Sequence, residues 1–479
     1  MTDPLAIVDQ ALAGEAAWVV GGVVRDELLG RAPDAAAAPD VDVVLDGDPA
    51  AAAHAIARAA GRGTARFALS DAFGTWRAVG PDHAWQIDLT PLRGGSIDAD
   101  LRLRDLTVNA MARPVGGGAI VDPTGGQRDL ADRVARAASD QAFADDPLRT
   151  LRVARFATEL DLAVDPATGA LVRTHVAGLD AVAGERVFAE LKRIVAAPRV
   201  RAGLQLMDDL DLTEHVLPEL GALHGVEQNR YHHADVLGHT LEVLDETLAI
   251  EADPGAVFGT ENADALRALL AEPLADGLTR GDALRFGALL HDAAKPQTRM
   301  VSEEGETLGF PRHDVEGEQL VRVVFERLRT SERLRAHVGA LTRHHLKLGF
   351  LVHEREPDGT LPRRVLYRYL VATDPVEVDV SLLSVADRLA TRGRKADEAI
   401  AKHVGLARDV IGEAIAWRDG RTRPVPFLRG DELARELEIE PGPQLGAILA
   451  QLAEARFAGE IRDRQEAVAL ARSLRSAGD

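Results

Sequence analysis

Cysteine is absent from the 479 residues, which excludes disulfides and any zinc site built on thiolates. No apolar run approaches the roughly 18 residues that a membrane-spanning helix needs. The N-terminus has no basic stretch followed by an apolar one, the mark of a secretory signal. A cytoplasmic protein with no membrane partner is the expectation. A basic excess is missing too: 56 Lys and Arg stand against 76 Asp and Glu, for a net charge of −20. That charge argues against broad, nonspecific affinity for a phosphate backbone. An RNA substrate stays open, because binding depends on a local basic groove. The chain is 46% hydrophobic and 28% charged, and its length suits roughly two to four soluble domains. No period suggests a repeat array.

The organising stretch is Val19-Val20-Gly21-Gly22-Val23-Val24-Arg25-Asp26, followed by Pro39-Asp40-Val41-Asp42-Val43-Val44. An apolar run meets a Gly pair and a helix of about two turns. The second run places Asp40 and Asp42 at i and i+2, on one face of a strand, with valines facing the core. Two ionised carboxylates so close repel unless a cation lies between them, and such oxygen-rich sites suit Mg²⁺ holding nucleotide phosphates. Gly21 and Gly22 offer backbone N–H groups and a positive helix end to a triphosphate.

In this order and spacing, the two pieces resemble the nucleotidyltransferase head of the polymerase-beta superfamily. The match is to its class II branch, the tRNA CCA-adding enzymes and bacterial poly(A) polymerases. The resemblance implies an α+β architecture: a small mixed sheet with helices over 1–137, a helical neck over 138–220, an α-helical HD domain over 221–415 and a helical tail over 416–479. Asp88, on a strand expected over Trp85–Leu89, matches a third metal-site carboxylate. Leu103-Arg104-Asp105-Leu106-Thr107-Val108-Asn109-Ala110 resembles the family's Arg-Arg-Asp-Phe-Thr-x-Asn-Ala motif, with Leu103 and Leu106 replacing Arg and Phe. It implies that Arg104 meets the triphosphate and Asp105 the sugar hydroxyls, with Arg25 and Asn109 in the same nucleotide site. As plain sequence, the stretch also reads as a capped helix start. Asp122-Pro123-Thr124-Gly125-Gly126 is a turn signal, read as mainly structural.

Between Asp88 and Arg104, fully CCA-adding relatives usually carry a longer flexible loop associated with switching from C to A addition. Only Leu92-Arg93-Gly94-Gly95-Ser96-Ile97-Asp98-Ala99-Asp100 fills the space here. Addition of CC alone is therefore open beside addition of CCA.

Residues 144–160 have an apolar face at helical spacing, with Asp145 expected as cap and Pro147 in the first turn. Asp146 and Arg149 project from one side. The resemblance implies that they read the incoming base, Asp accepting and Arg donating hydrogen bonds, with Arg152 and Arg155 in the nucleotide site. Arg186, Lys192 and Arg193, on a helix over Gly184–Ile194, are candidates for tRNA backbone contacts, as are Arg199 and Arg201.

Farther on, the order His239, His291-Asp292, His313, His344-His345 and Asp387 resembles an HD phosphohydrolase domain. Imidazoles and carboxylates suit a divalent transition metal (Mn, Ni, Fe or Co) whose bound water becomes a nucleophile. His239, His291, Asp292 and Asp387 are expected to hold one ion, and His313 with His344 (or His345) a second. Phosphoesters at RNA 3′ ends, including 2′,3′-cyclic phosphates, are the implied substrates. Residues 252–282 read as an inserted loop with a short helix, and 31–38 as a loop before the Asp40 strand.

The reading is thus transfer of nucleotides from CTP and ATP to a tRNA 3′ end, assisted by Mg²⁺. A poly(A) polymerase using ATP alone and an HD hydrolase with an RNA-binding head are the alternatives. The sequence leaves the oligomeric state open.

Overall fold

The computed structural model describes residues 3–31, 39–70, 74–228, 234–391 and 396–478. Most of the loop expected at 31–38 lies outside them. The chain divides into two compact units, Met1–Val216 and Leu217–Asp479.

The first unit begins with α1 (Pro4–Ala11), β1 (Ala17–Val20), α2 (Gly22–Leu28), β2 (Asp40–Leu45) and α3 (Pro49–Ala60). Next come β3 (Ala65–Ser70), β4 (Thr75–Val79), β5 (Gln86–Pro91), α4 (Ile97–Arg102) and β6 (Ala112–Pro114). The six strands form one sheet in the order β3-β4-β5-β2-β1-β6, in which only β2 and β5 run parallel. On β2, Val41 and Val43 are buried while Asp40 and Asp42 face out, the alternation expected of a half-buried strand. α3 starts under an Asp48 cap with Pro49 in its first turn, and buries Ala52, Ala53 and Ile56. The strand expected at Trp85–Leu89 is Gln86–Pro91; Trp85 stays outside, its carbonyl accepting from Gly80 N–H at 2.9 Å.

Helices α5 (Gly126–Ala131), α6 (Ala142–Asp145), α7 (Leu148–Leu160), α8 (Pro166–His175), α9 (Gly184–Ala196) and α10 (Val200–Asp209) follow in the same unit, with a short parallel strand pair Val134–Ala135/Ala163–Val164 and a last turn of helix at Thr213–Val216. Asp145 does not cap α7: it ends α6. Asp146 takes that role, accepting from Leu148 N–H at 3.2 Å. Thr107–Asn109 forms a 3-10 turn, not the start of an α-helix.

The second unit is helical. Helices Val236–Ala252, Arg280–Leu290, His313–Arg327, Glu332–His344 and Glu377–Ala390 carry the histidines and carboxylates singled out above, or end beside them. Residues 252–282 are not a loop with one short helix. Helices Pro254–Phe258 and Thr260–Leu270 and the hairpin Pro273–Ala275/Leu278–Thr279 occupy them. The acidic and Gly marks there are caps: Asp253 accepts from Gly255 N–H, and Leu266, Leu269 and Leu270 bury a helical stripe beyond. Helices Gly430–Leu437, Pro443–Phe457 and Arg464–Gly478 close on a core of their own around Leu433, Leu437, Ile448 and Leu452. No helix of the described residues is long and apolar enough to cross a membrane.

Candidate active site and candidate metal centre

In the first unit, strand pairing assembles three carboxylates. Asp40 and Asp42 share the outward face of β2, and Asp88 on β5 stands in parallel register with Asp42. Arg77, directly across the β4–β5 ladder, clamps Asp88 with hydrogen bonds of 2.6 and 2.7 Å. Desolvation by the surrounding protein and the charge of Asp40 push the Asp42 carboxyl up to about 6. Desolvation and Asp88 raise Asp40 as well. Carboxylates crowded enough to resist ionisation are a fit for divalent cations, whose charge would reverse both shifts.

A cavity of about 540 Å³ opens beside them, lined by Asp42, Arg93, Arg104, Asp146, Arg149 and Arg152 among others. Asp100, wholly buried, accepts from Arg93 Nε at 2.9 Å and lies 3.5 Å from Arg104. Asp105 also borders the cavity. Burial alone would raise its carboxyl, but the charge and hydrogen bonds of Arg152 outweigh this and hold it at about 2. Asp146 accepts from Arg186 at 2.8 Å, and Arg149 donates to the Ala142 carbonyl at 3.1 Å. The cavity therefore sets metal-ready carboxylates against several guanidinium groups, the arrangement a nucleoside triphosphate needs.

Other residues expected at the nucleotide are not among those lining the cavity. Gly21 N–H donates to the Met111 carbonyl, so it is not directed at a phosphate; a side chain at Gly21 would meet Arg104 Nη1 at 3.4 Å and Asp42 Oδ2 at 3.7 Å, so the glycine leaves that side of the site open. Gly22 heads α2 behind it. Arg25, 9% exposed, donates to Asn109 at 2.7 Å and to Asp26. Arg155, 2% exposed, lies beneath Arg152, too deep to touch a ligand. Arg25, Arg152 and Arg155 converge on the Phe156 ring, with guanidinium carbons 5.3, 5.2 and 3.8 Å from its centre. On α9, Arg193 is engaged with Glu159 at 2.7 and 3.0 Å, and Lys192 lies 6.0 Å from the Phe188 ring centre. Sequence reasoning missed Arg77 and Asp100. Arg77 becomes visible only once the β4–β5 register is known, and Asp100 only through its i,i+4 spacing to Arg104.

In the second unit, His239, His291 and Asp387 bring ligand atoms within 4.8 Å of one another, and so do Asp292, His313 and His345. His291 and Asp292 are consecutive, so the two triads adjoin. His291, His313 and His345 each place Nδ1 2.7–2.8 Å from a main-chain carbonyl, of Ala288, Phe310 and Thr342. A carbonyl can only accept, so each Nδ1 carries the proton and each Nε2 points inward as a ligand atom. His291 Nε2 and Asp292 Oδ2 are buried and stand 3.1 Å apart, facing the other ligand atoms. Two adjoining triads of imidazole nitrogens and carboxylate oxygens fit a metal.

Burial opposes charge on Asp292 and Asp387, yet His291 and Lys295 hold the former ionised and the His239 hydrogen bond the latter. Burial lowers His345 to about 4, leaving a neutral ligand. Lys295, 7% exposed, lies 2.6 Å from Asp292 and donates to Gln228 at 2.8 Å.

His344 does not join the cluster; His345 does. Adjacent residues at a helix end point roughly 100° apart, so only one can face the site. His344 points toward Lys347 and Arg343, whose charges add to burial in lowering it to about 4.

Comparison with known proteins gives three family matches. Residues 17–94 and 80–136 match the poly A polymerase head domain, 161–223 a probable RNA and SrmB-binding site of polymerase A, and 236–392 the HD domain. An A-adding tRNA nucleotidyltransferase from Deinococcus radiodurans is 34% identical, over 94% of both chains. A CC-adding tRNA nucleotidyltransferase from Thermus thermophilus is 30% identical, over 94% of this chain and 92% of its own. The solved Thermotoga maritima CCA-adding enzyme complexed with tRNA aligns with a TM-score of 0.60 at 20% identity, over all of this chain and 97% of its own, which shows a shared fold.

Proposed function

This chain belongs to the class II tRNA nucleotidyltransferase family, with a poly(A) polymerase head and an HD domain, and we propose that it adds C residues to tRNA 3′ ends from CTP. The observation that carries this reading is the cavity itself, with Asp42 and its neighbouring carboxylates facing Arg93, Arg104, Arg149 and Arg152. Mg²⁺ held by Asp40, Asp42 and Asp88 would supply activation of the 3′ hydroxyl and charge neutralisation at the triphosphate. The hydroxyl oxygen bonds to the α-phosphorus, the bond to pyrophosphate breaks, and the hydroxyl proton passes to solvent. Arg104 and Arg152 offer donors to the phosphates and sugar, and Asp146 and Arg149 the edge that selects the base. The division into head (1–137), neck (138–220), HD domain (221–415) and tail (416–479) is part of this proposal, as are tRNA contacts by Arg186, Lys192 and Arg193.

Stopping after CC is supported by the Leu92–Ser96 connection. Leu92 N–H bonds to the Leu45 carbonyl at 2.9 Å, and Arg93 is tied to buried Asp100. A connection this short and attached at these points supports a pocket that is not remodelled for ATP. A second reading, addition of the terminal A, is favoured by the Deinococcus relative, which is A-adding and 34% identical.

The HD cluster is proposed as a metal-dependent phosphoesterase site for RNA 3′ ends, with His345 in place of His344. The site assignment in the head is tested by Asp40→Ala. Incorporation is expected to vanish while the thermal transition stays; retained incorporation would overturn the assignment.

A further inference from the structure

We propose that Glu190 is a positioning residue of the nucleotide site, acting through Arg152. The inference rests on the nucleotide-site reading given above. Glu190 lies on α9 in the same stripe as Val187, Phe188, Leu191 and Ile194, and is 8% exposed. A carboxylate among apolar neighbours costs free energy unless it is paired, and this one is paired twice. One oxygen lies 3.4 Å from Arg152 Nη1; the other accepts from Arg155 Nε.

Arg152 is the partner that reaches the cavity. Its Nε and Nη2 lie 2.8 and 2.7 Å from Asp105 Oδ2, which together with the Glu190 contact occupies three N–H groups. Two of the five remain for a ligand. Asp105 Oδ1 meanwhile accepts from Leu106 N–H at 2.8 Å and Asn109 Nδ2 at 3.3 Å. With roughly four acceptor sites per carboxylate already engaged, a sugar hydroxyl that donates to Asp105 must share an oxygen with one of these donors, and on Oδ2 that donor is Arg152. The placement of Arg152 therefore governs both groups, and Asp105 alone fixes only one edge of its planar fork. Glu190 fixes the other.

Behind Glu190 the charges go on alternating. Arg155, stacked on Phe156, bonds to Glu159 at 3.0 Å, and Glu159 bonds to Arg193 on the exposed side of α9. This row holds Glu190 from behind through Arg155 and leaves its other oxygen directed at Arg152.

The test is equilibrium binding of CTP to the full chain by calorimetry, without tRNA, for the unaltered protein, Glu190→Gln, Arg152→Lys and the double variant, each with its thermal transition. Glu190→Gln is expected to weaken CTP about tenfold, a coupling usual for charged groups in contact. Because Glu190 acts through the Arg152 fork, the double variant is expected to bind no more weakly than Arg152→Lys alone. A merely structural role would lower the thermal transition and leave this non-additivity absent. Should Glu190→Gln fail to fold, Glu190→Asp keeps the charge on a shorter arm and is expected to weaken CTP less, but measurably. Unchanged affinity in the folded variant, or losses that simply add, would overturn the inference alone. No CTP binding by the unaltered chain would overturn the nucleotide-site reading and the inference with it.

Discussion

The Nε2 atoms of His313 and His345 stand 3.3 Å apart, and the Nδ1 of each ring is committed to a main-chain carbonyl. Two inward lone pairs at that distance repel unless a proton or a cation lies between them. Since burial keeps His345 neutral down to about pH 4, a metal is the better occupant at neutral pH.

Metal content after purification in Mn²⁺ or Ni²⁺, measured by elemental analysis, should therefore fall in His345→Ala and stay unchanged in His344→Ala. Equal content in both variants would contradict the assignment of the second triad.

The buried pair of Asp105 and Arg152 predicts an acid limb in the stability of the first unit. The carboxyl is depressed to about 2 from 3.8, so its contribution is complete above about pH 4 and disappears as pH falls toward 2. At neutral pH that contribution is roughly 2 kcal/mol. Urea unfolding followed by tryptophan fluorescence in a Trp417→Phe background suits the measurement, because the other three tryptophans, Trp18, Trp76 and Trp85, lie in the first unit. The stability gap between the unaltered chain and Asp105→Asn should narrow from pH 5 to pH 2; a constant gap would contradict the pairing.

Gly126 holds α5 against the 3-10 turn that carries Asn109. A Cβ there would stand 2.1 Å from the Thr107 carbonyl oxygen and 3.0 Å from Met111 Cγ. Gly126→Ala is expected to cost about 3 kcal/mol or more, an overpacking loss with no flexible side chain to absorb it, and to lower incorporation with it. Gly95→Ala has open space around the added carbon but a φ of +76°, so it should cost only about 1 kcal/mol. The two thermal transitions, compared side by side, check the ordering.

Arg149 and Asp146 carry the base-reading proposal. Arg149→Ala should relax the preference for CTP over UTP by about tenfold or more in kcat/KM, since a site built to hydrogen-bond one base edge loses discrimination with its donor. Competition between the two nucleotides on one tRNA end measures it. An unchanged ratio would remove Arg149 from the selection.

What could be read in advance depended on periodicity. Asp40 and Asp42 were legible because strand residues alternate faces, and the HD residues because their types and order are restrictive. The depth of Arg25 and Arg155 was not: helical spacing places Arg155 beside Arg152, and Arg25 comes from α2, but only packing against Phe156 decides which guanidinium reaches the cavity. Asp145 and Asp146 are neighbours before a proline, and the break between α6 and α7 assigns the cap to the second. His344 and His345 differ by one step at a helix end, where sequence does not fix the phase. Arg77 acts across a strand pair whose register the sequence does not fix, and Glu190 across two helices, 38 residues from Arg152, and no local pattern announces such partners.

The central claim, that this head transfers CMP to tRNA 3′ ends, is tested most directly by offering the purified chain three tRNA transcripts, ending before CCA, after C and after CC. CTP and ATP are supplied separately and together, and products are resolved at single-nucleotide length. The expected result is growth of the first two transcripts to CC with CTP, with or without ATP, and no growth of the third. Failure to add any C to either of the first two would contradict the account.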